Sequence, residues 1–408
     1  MAPSTVSYGT LPHDVQGKIE KFELHVEEQQ VRDFKQLVRL SPVAKECYEN
    51  RGEGHNGLGV TRAWMLEAKA YWESEFDWRK QEEYINSFPH YKADIVDDDG
   101  RIYSIHFAAL FSEKKSAIPT TRLHGWPASF QEFLPVLDLL RKKYSPQDLP
   151  YHIIVPSLPG YTLSSPPPLD RPWKIADSAR IMHKLMLNLG FGDGGYVVQG
   201  GDIGAAVGRT MAATYPECKA LHLNYCFMFP PDDASASELS DTEKKGLERF
   251  DAFNATGNAY GREHGTRPAT IGHVLSASPV ALLAWIGEKY LEWSDAASRL
   301  PLSTILAEVS LYWFTGCMPT SIYPYEEDFL QVPHPKGYFH AQAHLFVDKP
   351  LGYSYFPREL APMPRSWVGR TGRLCWFRGH EEGGHFPALE RPGEMLADLE
   401  DFVGEVWE

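Results

Sequence analysis

Nine residues, Tyr196-Val197-Val198-Gln199-Gly200-Gly201-Asp202-Ile203-Gly204, read as an apolar strand running into a tight glycine turn. Residues 205–215 continue the chain with helical spacing. Small residues flank Asp202 two places on either side, which is the small-x-nucleophile-x-small pattern of a nucleophile elbow. The glycines are needed because the turn is strained and the backbones around it pack closely. Further strand-like segments alternate with helical ones along the chain. That alternation implies a mostly parallel α/β sheet flanked by helices, with the elbow at the carboxyl end of a strand.

The elbow carries an aspartate where a serine is more usual. A serine there attacks acyl carbons. A carboxylate can attack an sp3 carbon, which leaves an ester on the protein that water must then cleave.

The pattern divides the chain into four stretches. Residues 1–90 read as an irregular and helical extension, with helical spacing over 31–40 and 61–76 and a run of aromatics and acids at Tyr71-Trp72-Glu73-Ser74-Glu75-Phe76-Asp77-Trp78. Residues 91–225 form the first part of the sheet, with strands over 102–107 and 151–155 and helices over 129–142 and 175–189. Residues 226–335 are helical, aromatic and broken by prolines and glycines, and they read as a lid inserted over the sheet. Residues 336–408 resume the sheet with strands over 352–356 and 373–378 and close with a helix over 393–407.

The net charge of −14 argues against nucleic acid or an anionic membrane as the main partner. No stretch reaches the ~18 apolar residues of a membrane helix. Residues 1–10 lack a basic region followed by an apolar run, so no secretory signal is expected. The cysteines Cys47, Cys218, Cys226, Cys317 and Cys375 are scattered and form no C-x-x-C pair. A disulfide framework and a zinc site are therefore not expected, and a reducing, cytoplasmic setting fits.

Four further positions carry chemistry. His124-Gly125-Trp126-Pro127 follows a strand and precedes a helix. A turn there can aim a backbone N–H at the elbow, to act with the N–H of Ile203 as an oxyanion hole. His385 lies beside Gly383-Gly384, just after the last apolar strand, where a base completing an elbow site falls late in the chain. His380 is its local competitor. The acid that orients the histidine is Glu359 or Asp348. Catalytic groups lie beyond the carboxyl ends of parallel strands. Glu359 follows the strand over 352–356 and Asp348 precedes it, so Glu359 is preferred. Opening a bond to oxygen also needs a hydrogen-bond donor for the departing atom, and tyrosines can serve. The lid offers Tyr260, Tyr290, Tyr312, Tyr323 and Tyr325, and composition does not choose among them.

Taken together, these motifs resemble the epoxide hydrolases of the α/β-hydrolase superfamily, in particular the microsomal-type branch and its soluble fungal members. The resemblance spans nearly the whole chain. Residues 71–78 look like that family's N-terminal signature, His124-Gly125-Trp126-Pro127 like its oxyanion motif, and Gly383-Gly384-His385-Phe386 like its histidine segment. It implies the α/β-hydrolase fold with an inserted lid. It also implies Glu359, within Phe356-Pro357-Arg358-Glu359-Leu360, as the acid. The lid tyrosines are then Tyr260, ahead of Thr266-Arg267-Pro268, and Tyr325, with Tyr323 close in register. The expected reaction joins water to a small-molecule epoxide through an ester on Asp202, with Trp126 and Ile203 as oxyanion donors and no metal or organic cofactor. A homodimer follows from the same resemblance. One departure stands out: the mammalian and insect relatives start with a membrane anchor and this chain shows none, so a soluble enzyme is expected. Detoxification, aromatic hydrocarbon catabolism and a step in specialised metabolism are the open biological roles. The competing readings are a haloalkane dehalogenase, which would bind halide through indole or amide N–H groups, and a non-catalytic binding protein of the same fold.

Overall fold

The computed structural model describes residues 8–12, 15–52, 58–234, 239–330 and 339–407. Its centre is one nine-stranded sheet. The strands are β1 (Ile19–Phe22), β2 (His90–Val96), β3 (Ile102–Leu110), β4 (Ile118–Leu123), β5 (Tyr151–Pro156), β6 (Tyr196–Gly200), β7 (Cys218–Leu223), β8 (Val347–Tyr355) and β9 (Gly372–Gly379). Their spatial order is β1-β2-β3-β5-β4-β6-β7-β8-β9. β1, β2, β3 and β5 pair antiparallel, and the run from β5 through β4 to β9 is parallel. Every residue of β5 and β6 is buried. Their unbroken apolar runs suit central parallel strands covered on both faces.

β6 and the helix Asp202–Thr214 form the strand–turn–helix read from the sequence. The helix begins at Asp202 itself, three residues earlier than its spacing suggested. It buries Ala205, Ala206, Val207 and Met211 against the sheet. Between β7 and β8 lies the lid, whose longest helices are Pro279–Trp293 and Leu302–Thr315. The expected lid boundary at residue 335 lies outside the described residues.

Two expectations are corrected. Residues 1–90 are not only irregular and helical, because Ile19–Phe22 pairs with β2 and makes the edge of the sheet. Four residues, none of them buried, carry no periodic signal, and only backbone pairing defines this strand. Asp348 does not precede its strand but lies near the start of β8, with its side chain 82% exposed. It is at the end of the sheet opposite the elbow.

The N-terminal helices Glu28–Leu40, Arg62–Ser74 and Trp78–Asn86 pack against the lid through aromatic contacts. Phe34 and Trp78 meet Phe314 at ring distances of 4.9 and 4.7 Å. Buried Trp72 donates its indole N–H to Ser310 Oγ at 3.1 Å. Among the described residues no single helix is long and apolar enough to cross a membrane, and Pro268–Ser276 with Pro279–Trp293 passes only as a pair bent by 117°.

Because Trp72 is the buried bolt between extension and lid, Trp72→Ala is expected to cost about 3–5 kcal/mol of unfolding free energy. Urea denaturation read by far-UV circular dichroism measures it.

Candidate active site

Asp202 takes a positive φ of 47°, a conformation that non-glycine residues hold only under constraint. Its neighbours supply that constraint. The backbone of Gly204 passes so close to the carbonyl of Leu123 that a Cβ would overlap it, and a Cβ on Gly125 would overlap the Asp202 carboxylate. The glycines let the strand ends and the elbow approach each other.

The turn after β4 then delivers its amide. The Trp126 N–H donates to Asp202 Oδ1 at 2.8 Å. Buried His124 holds this turn. Its Nε2 accepts from the Leu158 N–H at 3.1 Å, and burial lowers its pKa to about 4, so the ring stays neutral. Ile203 follows Asp202 in the first helical turn, where amides lack intrahelical partners, and it lines the cavity above the elbow.

His385 completes the line. Its Nε2 stands 3.5 Å from Asp202 Oδ2, and its Nδ1 is 2.5 Å from Glu359 Oε1. Both His385 and Glu359 are buried. The Leu360 N–H also donates to Glu359 Oε1, at 2.6 Å. Burial opposes a charge on His385, but the Glu359 carboxylate and the hydrogen bond to Asp202 outweigh it and push its pKa up to about 10. His380 is held elsewhere, with Nε2 2.7 Å from Asp398 Oδ2 and its ring stacked on Phe356.

A cavity separates the elbow from the lid. Its lining includes Asp202, Ile203, Tyr225, Phe227, Tyr260 and Tyr325. The rings of Tyr260 and Tyr325 lie 5.7 Å apart, and Tyr260 stacks on Trp126 at 5.2 Å. Burial, with Tyr260 and the Asp202 charge adding to it, raises the Tyr325 pKa well above its usual value, so its hydroxyl stays protonated. The register doubt resolves by position. Tyr323 points away, with its hydroxyl 2.6 Å from Ser178 Oγ, and Tyr325 faces the cavity. Tyr290 and Tyr312 are buried outside the cavity lining, and Tyr312 donates to the Ala128 carbonyl at 3.0 Å.

Several residues that shape the site have no sequence signature. Glu390 accepts from the Gly384 N–H at 3.0 Å, the Phe386 N–H at 2.9 Å and the Asp295 N–H at 2.7 Å. Asp295 in turn accepts from the Gly383 N–H at 2.9 Å. The His385 N–H donates to the Trp293 carbonyl at 3.0 Å, and the Trp293 ring meets the His385 ring edge-on at 5.0 Å. The histidine loop is thereby fastened to the lid.

The fold and the site define a hydrolase of the α/β-hydrolase type with aspartate on its elbow. Residues 19–133 match the epoxide hydrolase N terminus family, and residues 123–256 match the alpha/beta hydrolase fold family. The structure of Aspergillus niger epoxide hydrolase is 48% identical, covers 98% of this chain and 100% of its own, and superposes with a TM-score of 0.91. Epoxide hydrolase 1 of Oryctolagus cuniculus is 30% identical over 425 residues, covering 95% of this chain and 89% of that protein. Juvenile hormone epoxide hydrolase of the silkworm Bombyx mori is 26% identical, covers 96% of this chain and 95% of its own, and has a TM-score of 0.82. The chain belongs to the epoxide hydrolases and is an enzyme of that class.

The charge on His385 has a consequence for stability. Its folded pKa of about 10 exceeds the unfolded value of 6.5, so its contribution is fully present below pH 6.5 and is lost as pH rises through about 10. The difference in unfolding free energy between the native protein and His385→Gln is expected to narrow across that range in paired urea titrations. A constant difference would mean that resting His385 carries no proton.

Proposed function

We propose that this enzyme turns epoxides into vicinal diols in two chemical steps through an alkyl ester on Asp202. The observation that carries this reading is the setting of the Asp202 carboxylate. One oxygen is held by the Trp126 N–H at 2.8 Å, the other faces His385 at 3.5 Å, and both lie below a cavity lined by two phenols.

An epoxide entering that cavity accepts hydrogen bonds from Tyr260 and Tyr325. Asp202 Oδ2 attacks a ring carbon, the carbon–oxygen bond opens, and the new alkoxide takes a phenolic proton. Polarising the oxygen matters because an alkoxide is otherwise a poor leaving group. Oδ1, already held by Trp126, becomes the ester carbonyl oxygen.

Ester formation also changes His385. It removes the negative charge and hydrogen bond of Asp202, two of the supports that hold the imidazole protonated against burial. The proton affinity of His385 falls, and the proton it releases restores the phenol. Neutral His385, held by Glu359, then takes a proton from water as that water attacks Cγ of Asp202. The N–H groups of Trp126 and Ile203 stabilise the oxyanion, each by roughly 3 kcal/mol. The intermediate expels the alkoxide, which takes the proton of the newly formed Asp202 acid. Diol, Asp202 carboxylate and protonated His385 result. The chain's own residues and water carry every step.

The aromatic lining of the cavity supports aryl or bulky apolar epoxides as substrates. Detoxification or aromatic hydrocarbon catabolism in the cytoplasm accords with that preference, and a homodimer accords with the family resemblance.

Under saturating styrene oxide, His385→Ala should gain the mass of one epoxide per chain, read by intact-protein mass spectrometry. An unmodified protein would count against covalent catalysis. Tyr260→Phe and Tyr325→Phe should each slow ester formation by roughly 100-fold in single-turnover assays, with the double change far slower. Full-speed ester formation in both would remove the phenols from the mechanism.

A further inference from the structure

The reaction described so far leaves a buried lysine without a task. Lys289 lies on the lid helix Pro279–Trp293 and is shut off from water. Lysine is almost never buried this fully unless it is paired. Its Nζ stands over the Tyr260 ring, 4.8 Å from the centroid, with the rings of Trp285 at 5.4 Å and Trp293 at 6.0 Å. Glu288 is its ion-pair partner. The Glu288 side chain is 27% exposed and that of Lys289 5%, so the pair presents its positive end to the buried rings.

The two phenols of the cavity therefore differ in setting. Tyr260 has an ammonium over its ring. His264, on the same helix Ala259–Thr266, meets that ring edge-on at 5.5 Å but brings no charge. Its Nε2 accepts from Trp285 Nε1 at 3.0 Å, and burial, with the Lys289 charge adding to it, lowers its pKa to about 3. At Tyr325 burial, with Tyr260 and the Asp202 charge adding to it, holds the proton on the oxygen.

The difference bears on ring opening. In that step one phenol gives its proton to the new alkoxide and is left as a phenolate. A cation over the face of the neutral ring is already favourable. A buried ammonium attracts the phenolate far more strongly, because a full negative charge then faces it in a site that screens poorly. An interaction that strengthens toward the transition state raises the rate. We propose that Lys289 acts through Tyr260 as a positioning residue for ring opening: its ammonium stabilises the phenolate on Tyr260, which makes Tyr260 the phenol that gives up its proton and leaves Tyr325 as a hydrogen-bond donor. This rests on the ester mechanism above.

The carbon–oxygen bond of the epoxide breaks as the Asp202 oxygen bonds to carbon. The Tyr260 proton passes to the departing oxygen, and the electron pair of its O–H bond stays on Tyr260. Lys289 keeps its three protons throughout. The proton released by His385 then returns Tyr260 to the neutral phenol. In the second step charge develops on Asp202, where the Trp126 and Ile203 N–H groups receive it. Lys289 therefore assists ester formation and has no task in ester cleavage.

Single turnovers with styrene oxide test this, with ester formation and decay both followed by quenched-flow intact-protein mass spectrometry. Lys289→Met should form the ester about tenfold more slowly and cleave it within about twofold of the native rate, as expected when a nearby charge is taken from a general acid. Lys289→Arg keeps a charge that stacks on aromatic faces and should retain most of the native rate of ester formation. Action through Tyr260 has its own signature. In a Tyr260→Phe background, Lys289→Met should slow ester formation by less than about twofold further, whereas in a Tyr325→Phe background it should keep its full effect. Should Lys289→Met fail to fold, Lys289→Gln carries the same expectations. Native ester formation in the uncharged variant, equal slowing of both steps, or an undiminished effect in the Tyr260→Phe background would overturn the role of Lys289. Tyr260→Phe alone serves as the control. If it forms the ester at the native rate, the parent reading of the phenols fails. If it is slow while the uncharged Lys289 variant is not, only the present inference fails.

Discussion

The site depends on one imidazole buried between two carboxylates. His385 and Glu359 are almost fully excluded from water, and Asp202 is largely so. Taking such charges out of water is costly unless each has a partner. Here the partners are each other, in a line from Glu359 through His385 to Asp202. The arrangement is self-consistent only while Asp202 carries its charge. In the proposed reaction that charge is consumed as the ester forms, and the balance at His385 would then shift toward the neutral ring that the second step calls for.

The surrounding structure keeps this line rigid. The strained φ of Asp202 is imposed by close backbone contacts that only glycines permit. Lid and sheet are not independent layers at this point. Glu390 and Asp295 tie the loop carrying His385 to the end of the lid helix Pro279–Trp293. The N-terminal helices in turn brace the lid through Trp72, Trp78 and Phe34. Packing far from the cavity therefore bears on where His385 stands and on the cavity that Tyr260, Tyr325 and Asp202 line.

Much of this was legible in the sequence, for physical reasons. The elbow can be read because a strained turn tolerates few residues, and the glycines around Asp202 record that restriction. Glu359 followed from the rule that chemistry lies at strand carboxyl ends, although the strand proved longer than its apolar core suggested and enclosed Asp348. Other parts carried no local signal. β1 is short and partly exposed, so only its pairing with β2 defines it. Tyr323 and Tyr325 are two residues apart and alike in composition, and tertiary packing alone sends one to Ser178 and the other to the cavity. Glu390 and Asp295 look like surface acids in a linear reading. Their roles arise from burial, which brings residues distant in sequence together.

The central claim is that Asp202, and not water, makes the first bond to substrate. One native turnover in heavy-oxygen water, with enzyme in excess over styrene oxide, tests it most directly. The account predicts that the first diol carries ordinary oxygen from Asp202, while the heavy label appears in the Asp202 side chain on peptide mass analysis. Heavy oxygen in the first diol, with Asp202 unlabelled, would mean direct attack by water and would contradict the account.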